Sequence, residues 1–195
     1  MSVTQADFND RIQHEQVLTL FRQSPAAIIA HTIDGIVLMI LTWSTAPKPV
    51  LWVWFAVLVL LGVVRGLVTR RYLRRTQSPG EWRRGAAINV GFATIYALAW
   101  SVAIVLFLDP SEPVGFILLP VIIMGLSAGA ATTQASYPLP FFLFTGITSL
   151  TLIAVLVSTA DPAGYAVAFL TLLMFLGTAY TCLNIHGVLE RSLHL

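Results

Sequence analysis

Six apolar stretches recur along the chain, separated by polar breaks too short to hold a soluble domain. They cover residues 25–45, 50–69, 86–108, 114–134, 138–158 and 164–184. Each approaches the roughly 20 residues that a helix needs to cross a hydrocarbon core of about 30 Å. Val57 to Val64 (VLVLLGVV) and Ile147 to Val157 run apolar on every face, which excludes the period-two alternation of a transmembrane β-barrel. The pattern predicts an all-α fold, a polytopic membrane protein built as a six-transmembrane-helix bundle. Ahead of the first stretch, residues 4–23 set Phe8, Ile12, Leu18 and Phe21 among Asp7, Asp10, Arg11, Glu15 and Arg22. That amphipathic segment suits a helix lying at the membrane interface and leading into span one, with Pro25 where a first-turn proline is tolerated. After Asn184, Ile185, Leu189 and Leu193 form one row at four-residue spacing, and His186, Glu190 and His194 form the next. This reads as a helix leaving the membrane with one apolar edge. Three regions result: an N-terminal segment 1–24, a membrane domain 25–184 and the start of a linker helix 185–195.

Charge placement orients the bundle. Only 10% of the residues are charged, against 57% hydrophobic, where soluble domains carry roughly 25% charged residues. Arg70, Arg71, Arg74, Arg75, Arg83 and Arg84 crowd the loop between spans two and three, with Arg11 and Arg22 before span one and Arg191 after span six. The loops at the other end hold Lys48 against Asp109, Glu112 and Asp161. By the positive-inside rule both termini are expected in the cytoplasm. The basic residues therefore report topology and not nucleic-acid binding. The arginine loop, which carries a Ser78-Pro79-Gly80 turn signal, is either a topology determinant alone or also a contact for anionic headgroups. No small-residue cleavage site follows span one, so the N-terminus is expected to be retained. The single Cys182 has no internal disulfide partner and reads as a packing residue. Trp43, Trp52, Trp54 and Phe107 at the outer ends, and Trp82 at the inner end, read as interfacial belts.

The ionisable residues His31 and Asp34 in span one and Arg65 in span two are the hardest to explain as packing. A charge at the bilayer centre costs about 2.5–3.5 kcal/mol on insertion scales and usually faces a partner or the bundle interior. His31 and Asp34 share one helix face, and Arg65, near the inner end of an antiparallel neighbour, is placed to pair with Asp34. The alternative is that Arg65 snorkels to the headgroups while His31 and Asp34 bond locally. Asn89, Tyr96 and Trp100 in span three, with Thr145, Thr148, Ser149 and Thr151 in span five, are candidates to line a pocket. Hydroxyls inside membranes more often bond their own helix or a neighbour. In span four, Pro120 is followed by Gly125, Ser127 and Gly129 among alanines, a small-residue face that predicts close helix packing. His31 and Asp34 fall short of the three or four ligands of a metal site, and His186, Glu190 and His194 read as a solvated helix face. No metal, cofactor or catalytic motif is implied, so the chain is expected not to be an enzyme.

The run Glu15-Gln16-Val17-Leu18-Thr19-Leu20-Phe21-Arg22-Gln23-Ser24-Pro25, Glu81-Trp82-Arg83-Arg84, Gly125 to Ala131, Tyr137-Pro138-Leu139-Pro140-Phe141 and the closing His186 to Leu195 segment together resemble the N-terminal six-span sensory region of bacterial sensor histidine kinases, often hybrid, and of diguanylate cyclases. The resemblance spans nearly the whole chain. It implies a homodimeric signal-input module of the bacterial inner (cytoplasmic) membrane, part of a two-component or cyclic-di-GMP system. Its last span would continue into a kinase or cyclase domain in cis, and its signal would be a small or lipophilic molecule or the state of the lipid bilayer. It supplies no ligand residues. The rivals are a membrane assembly or structural subunit and a small transporter. A transporter predicts a repeated half or paired broken helices, and Pro120 with Gly125 has no evident counterpart.

Overall fold

The computed structural model describes residues 5–74 and 81–193; the Ser78-Pro79-Gly80 turn, Arg75, His194 and Leu195 lie outside the described residues. The described chain forms six helices, α1 Gln5–Leu41, α2 Lys48–Arg74, α3 Trp82–Phe107, α4 Pro113–Thr133, α5 Leu139–Ser158 and α6 Pro162–Leu193. All six include a stretch long and apolar enough to cross a membrane. α3 packs most extensively on α5, α1 on α2, and α6 on α5 and α4. α1, α3, α4 and α5 thus form the middle of the bundle, and α2 and α6 flank it on opposite sides. The flanking helices keep broad apolar faces outward, Val53, Leu60 and Leu67 on α2 and Phe169, Leu173 and Leu176 on α6, where acyl chains would be their solvent.

Each helix buries a single stripe. On α2 it is Leu51, Trp54, Leu58, Gly62, Arg65 and Thr69, the three- and four-residue spacing of one helix face. On α3 the stripe alternates alanines (Ala86, Ala93, Ala97, Ala103) with Tyr96 and Trp100. The alanines leave room for the large side chains of α5, Phe141, Phe144 and Leu152, which are all but fully buried.

The N-terminal segment departs from expectation. It is no separate interfacial helix: α1 runs unbroken for 37 residues with Pro25 in its interior. Its apolar face is covered by protein, because Val17, Phe21 and Ala86 form a small core with Tyr72, Trp82 and Tyr137 packed around it. Phe21 stacks on Tyr72 with ring centroids 3.9 Å apart, and Trp82 donates its indole N–H to Asp10 Oδ1 at 3.1 Å. Trp82 therefore serves a helix contact and not an aromatic belt alone. Trp54 and Phe107 are likewise interior residues: both are about 95% buried, with ring centroids 5.8 Å apart, and the Trp54 indole donates to the Ala99 carbonyl of α3 at 2.8 Å. Trp43 and Trp52 do face outward.

α4 is the most enclosed helix, with half of its span buried. Its small-residue face is not what packs. Gly125, Ala128 and Gly129 are exposed, and a Cβ added at either glycine would meet nothing within 4 Å. Ser127, on the buried side, bonds back to the Ile123 carbonyl. The close helix approaches lie elsewhere. A Cβ at Gly35 would sit 2.6 Å from Leu58 of α2, and one at Gly85 would collide with the Tyr72 hydroxyl.

Candidate functional site

The polar residues of the bundle interior form two adjoining layers. The first is centred on His31. Its ring stacks on Tyr96 at 4.2 Å and meets the edge of Phe144 at 5.3 Å. The Trp100 indole N–H donates to His31 Nδ1 at 3.1 Å. Indole is a donor only, so Nδ1 is unprotonated there and the proton of the neutral ring sits on Nε2. Trp54 packs edge-on against Trp100 at 5.4 Å and closes the layer. His31, Tyr96 and Trp100 are 6%, 1% and 0% exposed, so they fill the core. Two α5 hydroxyls are likewise taken up by the protein, whereas Thr145 Oγ1 is buried without a hydrogen-bond partner among the described residues. Thr148 bonds to the Phe144 carbonyl, and Thr151 bonds to the Ile147 carbonyl and to Ser101 of α3.

The second layer lies toward the arginine-rich end and is centred on Arg65. The expected Asp34–Arg65 ion pair is not formed. Among the described residues no Lys or Arg pairs with an Asp or Glu side chain; the one approach of a basic to an acidic side chain is His186 to Glu190, and Asp34 is part-buried without a partner of this kind. Nor does Arg65 snorkel outward. It is 6% exposed, and its guanidinium carbon lies 5.7 Å from the Tyr96 ring centroid and 5.9 Å from that of Phe92. The stripe on α2 places it inward, two and a half turns before Arg74. Tyr96 thus touches both layers. Cation–π contact is worth about 2 kcal/mol when desolvated, less than the several kcal/mol that burying a charge costs.

Beside Arg65 a small cavity is walled by Leu20, Gln23 and Ala27 of α1, Asn89 and Ala93 of α3, Thr133 and Gln134 at the end of α4, and Pro140 of α5. Its volume accommodates about one water-sized group. Arg65 Nε, Gln23 Oε1 and Gln134 Oε1 are sealed from solvent without a hydrogen-bond partner among the described residues. Asn89 uses its amide on the Gly85 carbonyl. Sequence reasoning missed Gln23 and Gln134. Gln134 follows the uncharged end of α4, and only the chain reversal there turns it inward.

From this wall a direct connection runs to α6. Gln134 caps α4 through its backbone N–H to the Ala130 carbonyl, and the next residue, Ala135, presents its carbonyl to His186 Nδ1 at 3.0 Å. The other ring nitrogen of His186 lies 3.3 Å from Glu190. His186 was expected on a solvated face, and it is instead an interhelical contact. Among the described residues no three His, Cys, Asp or Glu side chains gather as a metal-binding group. Two apolar grooves face outward, one between α2 and α3 along Val53, Val57 and Val102, the other between α1 and α2 along Ile36, Ile40 and Phe55. Their walls carry almost no polar surface that would orient a ligand.

Comparison with known proteins gives no match: no family model fits the chain, and no curated protein or solved structure is significantly similar to it.

Proposed function

We propose that the chain is a membrane-embedded signal-input module that relays a stimulus through α6 to an output domain, a histidine kinase or a diguanylate cyclase. In this reading it is homodimeric, both termini lie in the cytoplasm, and the host membrane is a bacterial inner membrane. The observation that carries the reading is the link from the Arg65 layer through Gln134 and Ala135 to His186 on α6. α6 is a single helix of 32 residues, about 48 Å at 1.5 Å per residue. A hydrocarbon core is about 30 Å thick, so some 12 residues continue beyond it as rigid rod. A change around Arg65 or Gln134 displaces the Ala135 carbonyl, and α6 then keeps or loses its hydrogen bond from His186. Such a relay requires a stimulus with different affinity for the two arrangements.

The encoding gene, read past the codon for Leu195, tests the relay in cis. The expected result is an open frame into a kinase or cyclase domain; a stop codon at that point overturns it. An assembly subunit is the second reading, favoured by the outward Gly125, Ala128 and Gly129 face, which is suited to a close-packed helix of another chain.

A further inference from the structure

The Arg65 cavity goes beyond the signalling reading and does not depend on it. A guanidinium stays charged and carries five N–H donors in a planar fork. Here it is 94% buried by the complement of its 6% exposure, and no carboxylate among the described residues pairs with it. Among the described residues, two ring faces supply its favourable charge contacts. Around it the wall offers side-chain amides, Gln23 and Gln134, whose rotation by half a turn exchanges acceptor for donor. A fixed cation next to adaptable amide groups recognises an anion, and it repels metal ions. Because the cavity admits about one water-sized group, a single terminal oxygen of a ligand enters, and the rest of the molecule stays outside the wall, where Gln23, Ala27 and Thr133 are part-exposed. Arg70, Arg71 and Arg74, exposed at the same end of α2, raise the local concentration of anions there.

We propose that Arg65, with Gln23 and Gln134, binds an acidic oxygen group, a carboxylate or a phosphate, at the arginine-rich end of the bundle. The group belongs either to a free solute or to a lipid headgroup, and the two sources share the same fork-to-oxyanion chemistry. Binding there would bear directly on Gln134, the residue before the Ala135 carbonyl that holds His186.

The full chain in nanodiscs of neutral phosphatidylcholine is unfolded thermally while inorganic phosphate or acetate replaces chloride at constant ionic strength. A parallel set uses nanodiscs containing phosphatidic acid, with no added solute. A saturable rise in the unfolding midpoint with phosphate or acetate identifies a solute; a rise confined to the acidic nanodiscs identifies a headgroup. In either arm the shift is expected to vanish in Arg65→Gln, to need at least tenfold more ligand in Gln134→Leu, and to persist in Arg74→Gln. No shift in either arm overturns the proposal, as does a shift that survives Arg65→Gln or follows Arg74. Should Arg65→Gln fail to fold, Arg65→Lys and Gln134→Leu decide: lysine keeps the charge and loses the fork, and unchanged affinity in both variants overturns the site. The assay reads binding on this chain alone, so its failure leaves the gene-level test of the relay untouched.

Discussion

Replacing Trp100 with phenylalanine isolates the polar element of the His31 layer. The benzyl ring keeps most of the apolar volume and removes the one N–H that His31 Nδ1 accepts at 3.1 Å. His31 is 6% exposed and Trp100 fully buried, so water does not replace the lost donor. Leaving a buried acceptor unpaired costs roughly 1–3 kcal/mol. The net value of the bond is smaller, because interhelical hydrogen bonds in membranes average about 0.6 kcal/mol and reach about 1.7 kcal/mol in measured cycles. Trp100→Phe is therefore expected to cost roughly 1–3 kcal/mol, and Trp100→Ala about 3–5 kcal/mol because it also opens a cavity. A double-mutant cycle with His31→Leu separates the pair from its surroundings. The coupling is expected near 1 kcal/mol, since once both partners are gone no orphan remains. The assay is reversible unfolding in mixed micelles followed by far-ultraviolet circular dichroism, which is insensitive to the loss of an indole fluorophore. Wild-type stability in Trp100→Phe, together with coupling below about 0.3 kcal/mol, the additivity limit for independent sites, would refute the claim that this bond organises the layer.

Three further outcomes follow from the packing and the loops. Gly85→Val places a Cβ against the Tyr72 hydroxyl and 2.8 Å from Val17, and is expected to lower stability by about 1–3 kcal/mol in the same unfolding assay; an unperturbed variant contradicts the close approach of α1, α2 and α3. Gly125→Ala and Gly129→Ala meet open space and should leave the monomer as stable or gain up to about 1 kcal/mol each from reduced backbone freedom. If that face joins two copies, the dimer fraction measured by single-molecule photobleaching falls in the same variants. At the opposite end, the Ser111 hydroxyl and backbone N–H donate to Asp109 Oδ1 at 2.7 and 2.8 Å and hold the Asp109 carboxyl below its usual range. The folded carboxyl titrates below the unfolded one, so the contribution is full above the unfolded midpoint and is lost as pH falls through the folded one. Ser111→Ala should raise the Asp109 midpoint in an NMR titration, and an unchanged midpoint contradicts the assignment.

The burial of the candidate residues was legible in their type, and their partners were not. His31, Arg65, Asn89, Tyr96 and Trp100 stand out because a polar or bulky group inside an apolar run demands a partner, and the structure buries all five. The partners came out differently. Asp34 and Arg65 lie on antiparallel neighbours, yet Arg65 sits on the buried α2 stripe with its guanidinium turned to the rings of Phe92 and Tyr96 on α3. Helical phase decides this, and phase is unreadable where every face is apolar. In water the buried face is the hydrophobic one; in lipid both faces are hydrophobic, so Val57 and Leu58 look alike although one is exposed and the other buried.

By itself the sequence determined the number of helices, their approximate spans and the clustering of arginines at one end, because hydrocarbon thickness sets a length that composition alone can report. Only the tertiary structure decided what each helix touches. It extended α1 through Pro25, since Val17 and Phe21 find protein cover against Tyr72 and Trp82. It moved the close packing from Gly125 and Gly129 to Gly35 and Gly85. It brought Gln23 and Gln134, 111 positions apart in the numbering, onto one wall with Arg65. Those outcomes rest on shape complementarity and hydrogen bonding between helices, the forces that remain when lipid and protein interior are equally apolar.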